Sequence, residues 1–143
     1  MLQCINDVSS NSVEGRKQIC QLKDLILTLF GLIFRRHIYV NCKTPNVVYL
    51  LDCHVCGSQY VGESVQPFNK RMNGHRRDLP KKTLLPVSQH FLSPGHSLDD
   101  FGRSKIYIID HNPSCKENQR QKRESFCIRK LRTLHPDGIN KKA

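Results

Sequence analysis

The 143-residue chain has room for one compact domain with appended material and excludes two full domains. Lys and Arg outnumber Asp and Glu by 23 to 12, a formal net charge of +11. The excess crowds into residues 70–82 and 116–132, favouring a polyanionic partner over a merely soluble basic surface or an anionic membrane.

Seven cysteines, an odd number with one Cys-x-x-Cys among them, argue against a disulfide framework. No basic start adjoins an apolar run, so no cleavable leader is expected, and the thiols are read as those of an intracellular protein.

Residues 1–15 are polar, rich in Ser and Asn, and lack apolar periodicity; they predict a flexible leader. A helix is expected over about 16–34, carrying no chemistry and covering the domain or packing on an upstream protein. Its run "LILTLFGLIF" is about ten residues, whereas a spanning helix needs roughly 20, so no membrane partner is expected.

"IYVNCKTPNVVYLLDC", from Ile38, is dense in β-formers and broken by Pro45, predicting two extended segments around a turn; "SQYVG" predicts a third. Pro67 then opens a helix in which Phe68, Met72, His75 and Leu79 recur at helical spacing. Asn73-Gly74 argues against that helix, since Gly costs about 1 kcal/mol in a helix interior. "PVSQHFLS" predicts a short helix ended by Pro94-Gly95, and "SKIYIID" a strand. The last helix is expected over about 117–134, stopping before Pro136.

Cys53 and Cys56 form the Cys-x-x-Cys, which offers two of the four ligands that zinc takes in a tetrahedron. His90 and His96, across the Pro-Gly reversal, could supply the others; His54 is too close to the cysteines for good geometry. The alternative is that the cysteines are small buried fillers and the histidines ordinary loop residues. Cys4, Cys20, Cys42, Cys115 and Cys127 have no matching partners and read as packing residues or surface thiols.

Arg71 and His75 stand four apart on one helical face. Such a pair can clamp a phosphate and move a proton, or be a snorkelling Arg and a satisfied core His. Glu124 shares a stripe with Cys127, Ile128 and Leu131, where a carboxylate wants a partner. Either a magnesium-type cation or an ion pair would satisfy it. Tyr49 and Tyr60 are strand aromatics with hydroxyls to place.

With "VVY" ending in Tyr49, "YVG" at 60–62, Arg71 and His75 on the next helix, Glu124 in "RESFCIRKL" and Asn140 in "PDGIN", the chain resembles the GIY-YIG nuclease family. More narrowly, "CKTPNVVYLLDC", the cysteine pair between the two motifs, and "PVSQHF" followed by a second His look like the endonuclease domain of Penelope-like retroelements. The match runs from Ile38 to Asn140, and Val47 and Val48 stand where the family's first motif has Gly and Ile.

The resemblance implies a small α/β (α+β) fold: a short mixed or antiparallel three-stranded sheet flanked by helices, with an inserted zinc-binding element of Cys53, Cys56, His90 and His96. It implies an endonuclease domain at 38–143 behind an appended 1–37, detached or truncated from an upstream reverse transcriptase and its RNA template. The implied activity is metal-dependent nicking of DNA for element insertion, in the nucleus, with Mg2+ or Mn2+. Glu124 would hold the ion, Arg71 stabilise the transition state, and Tyr49 and Tyr60 orient the attacking water. His75 would assist, Asn140 brace the site or touch substrate, and Gly62 allow close backbone approach. A catalytically inactive zinc-stabilised DNA-binding module and a host structure-specific repair nuclease are the competing expectations.

Overall fold

The computed structural model describes residues 40–143; the expected leader, the apolar helix, Cys4 and Cys20 lie outside the described residues. Three strands, β1 (Val47–Asp52), β2 (Gln59–Ser64) and β3 (Lys105–His111), form an antiparallel sheet in the order β2-β1-β3. β1 is central, and its side chains are buried on both faces. That is why "VVYLL" reads as an unbroken apolar run rather than an alternating one.

Alternate residues of β1 enter two cores. Val47, Tyr49 and Leu51 pack with Phe68, Met72, Phe91, Phe101 and Ile106; Val48 and Leu50 pack with Val61, Ile109, Cys127 and Ile128. Helices α1 (Phe68–Asp78), α2 (Pro86–Phe91) and α3 (Leu98–Arg103) cover the first face, and α4 (Glu117–Leu131) covers the second.

α1 follows Pro67, which offers no side-chain cap. Instead the Phe68 and Asn69 amides donate to the Thr44 and Cys42 carbonyls, at 3.0 and 2.7 Å. Of the first expected extended segment, residues 38–39 lie outside the described residues and 40–42 form no strand; they join the turn expected around Pro45, closed by Thr44 N–H to Asn41 C=O at 3.1 Å, whose carbonyls cap the start of α1. Free helical amides need acceptors, and this loop supplies them. α1 runs unbroken through Asn73-Gly74.

α3 was not anticipated. It is six residues long, begins at a Ser97/Asp100 capping box and buries Phe101 alone, so it leaves no periodic signal. α4 ends at Leu131, earlier than expected, because Arg132 turns left-handed at φ 53° and the Thr133 amide returns to the Ile128 carbonyl at 3.1 Å.

Candidate active site and metal centre

Tyr49 sits opposite Gly62 across the β1–β2 ladder, with the Tyr60 ring on the same face, 6.3 Å away between centroids. A Cβ on Gly62 would stand 2.5 Å from Tyr49 Cζ and 2.8 Å from Tyr60 Cε1. Glycine therefore leaves the space in which the two phenols meet. Arg71 and His75, one turn apart on α1, reach the same hydroxyl: Arg71 Nε donates to Tyr49 Oη at 3.2 Å, and His75 Nε2 lies 2.7 Å from it.

Burial, reinforced by the neighbouring Arg71 guanidinium, lowers the His75 imidazolium to about 4, so the ring is neutral at neutral pH. Burial first, then Tyr60, pushes the Tyr49 phenol above its usual range, and Arg71 opposes them without prevailing. The phenol keeps its proton, accepts from Arg71 and donates to an unprotonated His75 Nε2. Tyr49 has no exposed surface, whereas Tyr60 keeps 9 %.

Glu124 lies half-buried on α4. Burial, then the charge of Glu63, raises its carboxyl to about 7 against the opposing pull of Arg71, Arg120 and Lys142. Three of these neighbours, Glu63, Arg120 and Lys142, were missed in the sequence. Arg120 is buried, ion-paired through Nε to Glu63 and 3.4 Å from Asn46 Oδ1. Its signal was present: it stands four residues before Glu124, on the same helical face.

Asn140 occupies the open edge of β2. Its Oδ1 accepts from the Val61 amide at 2.9 Å and Thr133 Oγ1 at 2.7 Å, and its Nδ2 donates to the Val61 carbonyl at 2.8 Å. Ile139 N–H adds a bond to Gln59 C=O at 2.8 Å. The chain near its C-terminus thus substitutes for a fourth strand and fixes the backbone between Tyr60 and Gly62.

At the other end of the hairpin, the turn after β1 places Cys53 and Cys56, and α2 with its following loop brings His90 and His96. One ligand atom from each of the four lies within 4.8 Å of every other. Cys56 Sγ and His90 Nε2 are 3.6 Å apart, inside the roughly 3.4–3.8 Å expected between donors sharing a tetrahedral zinc. His96 Nδ1 contacts Ser93 Oγ at 3.2 Å, while its buried Nε2 has no hydrogen-bond partner. A buried imidazole nitrogen without a partner, facing two thiols and a second imidazole, fits a soft divalent metal. Burial resists the Cys56 thiolate, but hydrogen bonding from Ser58 leads the effects that outweigh it and bring the thiol down to about 7. His54 stays apart, 2.8 Å from Asp100 Oδ1.

No protein-family model matches the chain, and no curated protein matches it significantly. Among solved structures, the catalytic domain of the homing endonuclease I-TevI aligns with a TM-score of 0.53 at 21 % identity, covering 68 % of this chain and 99 % of that domain. The likeness is one of fold: this chain has the three-stranded, helix-flanked α/β fold of GIY-YIG domains, and it carries a Cys/His cluster able to bind a metal where the β1–β2 turn meets α2 and the loop after it.

Proposed function

We propose that the protein is a metal-dependent DNA endonuclease that nicks duplex DNA by phosphodiester hydrolysis. The observation that carries the reading is the convergence of Arg71 and His75 on the Tyr49 hydroxyl, within a fold like that of a homing endonuclease catalytic domain.

Glu124 is the residue that would hold a divalent cation, Mg2+ or Mn2+: burial, then Glu63, makes its charged form costly, and a bound cation would offset that cost. When bound, such an ion neutralises charge on the scissile phosphate and the leaving oxygen. Arg71 pairs with the phosphate through its remaining N–H groups and stabilises the pentavalent transition state, where a preorganised cation gains most. Tyr60, the more accessible phenol, orients the attacking water. The water's oxygen bonds to phosphorus as the bridging P–O bond breaks, and the water gives up a proton toward the tyrosine–histidine pair.

The proton-accepting pair lies beneath, in Tyr49 and the neutral His75. Arg71 is one of the two influences that hold the imidazolium low. Pairing Arg71 with a phosphate weakens that influence and makes His75 a better base when substrate is present. Asn140 braces β2, and Gly62 admits the phenols.

The narrower assignment, to a Penelope-like retroelement acting in the nucleus beside a reverse transcriptase and its RNA template, is supported by the cysteine pair between the two tyrosine motifs and the two downstream histidines. Zinc would be structural there, held by Cys53, Cys56, His90 and His96, within an endonuclease domain of residues 38–143 behind an appended 1–37.

The test is nicking of supercoiled plasmid with Mg2+ or Mn2+ by the intact chain and by Glu124→Ala. Metal-dependent nicking that disappears in the variant is expected. DNA binding without nicking by the intact chain would leave a basic binding module instead.

A further inference from the structure

Helix α1 contains a glycine that its packing does not require. Gly74 lies in the helix interior, where glycine costs about 1 kcal/mol relative to alanine. Yet a Cβ there would meet nothing nearer than the Arg77 guanidinium at 3.9 Å. Gly62, by contrast, has no room for a side chain.

Gly74 does border a cleft of about 610 Å3 between the end of β2 and α1. Its helical side presents Lys70, Arg71, Gly74 and Arg77, with Glu63 and Asp78 as its acids. Both carboxylates are already matched: Glu63 pairs with Arg120, and Asp78 with Arg77 at 3.6 Å and Lys81 at 3.4 Å. Lys70 has no ion-pair partner among the described residues, and Arg71 engages Tyr49 through Nε alone. The cleft is therefore cationic, with its unmatched charge at the catalytic end.

Helical spacing sets Lys70, Asn73 and Arg77 in one row and Arg71, Gly74 and Asp78 in the next. The bare position thus follows Arg71 in its own row and has Arg77 beside it in the next, the two cations about 9 Å apart along the axis. The volume falls within the roughly 300–1,000 Å3 of sites that enclose a small molecule and is more than a lone ion needs.

We propose that this cleft seats the DNA strand flanking the scissile phosphate, and that Gly74 is bare so that the sugar–phosphate backbone can lie against α1 between Arg71 and Arg77. The inference rests on the DNA-endonuclease reading and adds where the strand runs and which residue sets its approach.

The test uses the full chain with Gly74→Leu, Gly74→Ala and Lys70→Gln. Anisotropy of a labelled duplex oligonucleotide in magnesium-free buffer over a salt series reads binding, and a thermal melt reads stability. Leucine is a strong helix former, so Gly74→Leu is expected to melt no lower than wild type and to bind the duplex about ten-fold more weakly. Lys70→Gln should lower the slope of log K against log salt by about one. Duplex binding by a folded Gly74→Leu as tight as wild type would overturn the proposal. Should that variant fail to fold, Gly74→Ala decides: a higher melting temperature with weaker binding upholds the cleft, and unchanged binding overturns it. Wild-type nicking reads the endonuclease assignment separately; a chain that never nicks but binds through Gly74 loses that assignment and keeps the cleft.

Discussion

The β1–β2 hairpin carries two different kinds of polar cluster, one at its turn and one along its ladder. At the turn, two thiols and two imidazoles converge with one buried nitrogen unmatched, so the protein alone does not complete the group. In the middle of the ladder, Tyr49, Arg71 and His75 satisfy one another, and the unmatched element there is charge, at Glu124 and Arg71. On the endonuclease reading, the first arrangement serves stability and the second reactivity. Substitutions in the two clusters should therefore separate cleanly into changes of melting temperature and changes of rate.

The largest effect is expected at the turn. Cys53 is buried, and Cys53→Ser removes a soft ligand from a site that ties the hairpin to α2 and the loop after it. Loss of bound zinc and of about 3 kcal/mol or more of stability is expected. Zinc stoichiometry by a chromogenic chelator, with a denaturant melt, checks it. A mutant with unchanged metal content would break the contrast between the two clusters.

Gly62→Ala comes next and blurs the contrast in an informative way. The added methyl sits 2.5 Å from Tyr49 Cζ, and the conflict is with a buried ring that cannot swing into solvent. Overpacking of this kind costs about 1–3 kcal/mol. Because the displaced groups are the two phenols, nicking should fall further than the melting temperature alone accounts for. A stable variant with full activity would show that the phenols need not be held so closely.

Much of this was legible in the sequence where one force dominated. The unbroken apolar run of β1, the four-three-four stripe of α1 and the proline-opened α2 each follow from burial or backbone geometry over a handful of neighbouring residues. The residues proposed for catalysis and zinc binding were visible as well, since each departs from the pattern around it. What escaped depended on contacts between distant segments. The start of the run from Ile38 read as extended because Ile38, Tyr39 and Val40 are β-formers, but the Cys42 and Thr44 carbonyls that follow are drawn to the amides of α1. The Arg120–Glu63 pair spans α4 and β2; the spacing of Arg120 from Glu124 hinted at its face, but its partner on a distant strand could not be read from it. α3 is held by a capping box and one phenylalanine, too little to register as periodicity.

The smallest effect sharpens the comparison most, because it tests whether the catalytic cluster withholds stability. Burial and Glu63 raise the Glu124 carboxyl from 4.5 in the unfolded chain to about 7 in the folded one. Between those values the folded state retains a proton that the unfolded state has released, so the contribution of Glu124 to stability is full below pH 4.5 and is lost as pH rises through about 7. His75, lowered from 6.5 to about 4, acts with the opposite sign over an overlapping window: its contribution is full above pH 6.5 and lost as pH falls through 4. The wild-type curve therefore mixes the two, but His75 cancels in the difference between wild type and Glu124→Gln. That difference should be near zero at pH 4.5 and favour the glutamine variant at pH 8 by on the order of 1 kcal/mol, modest because the carboxylate is partly solvated. Magnesium stabilises only a state that binds it, so adding it at pH 8 should raise wild type and narrow the gap while leaving Glu124→Gln in place. Urea melts at the two pH values, with and without magnesium, measure both. A gap that ignores pH would mean that Glu124 is already neutralised by Arg120 or Lys142, and a gap that ignores magnesium would remove Glu124 as the residue that holds the ion.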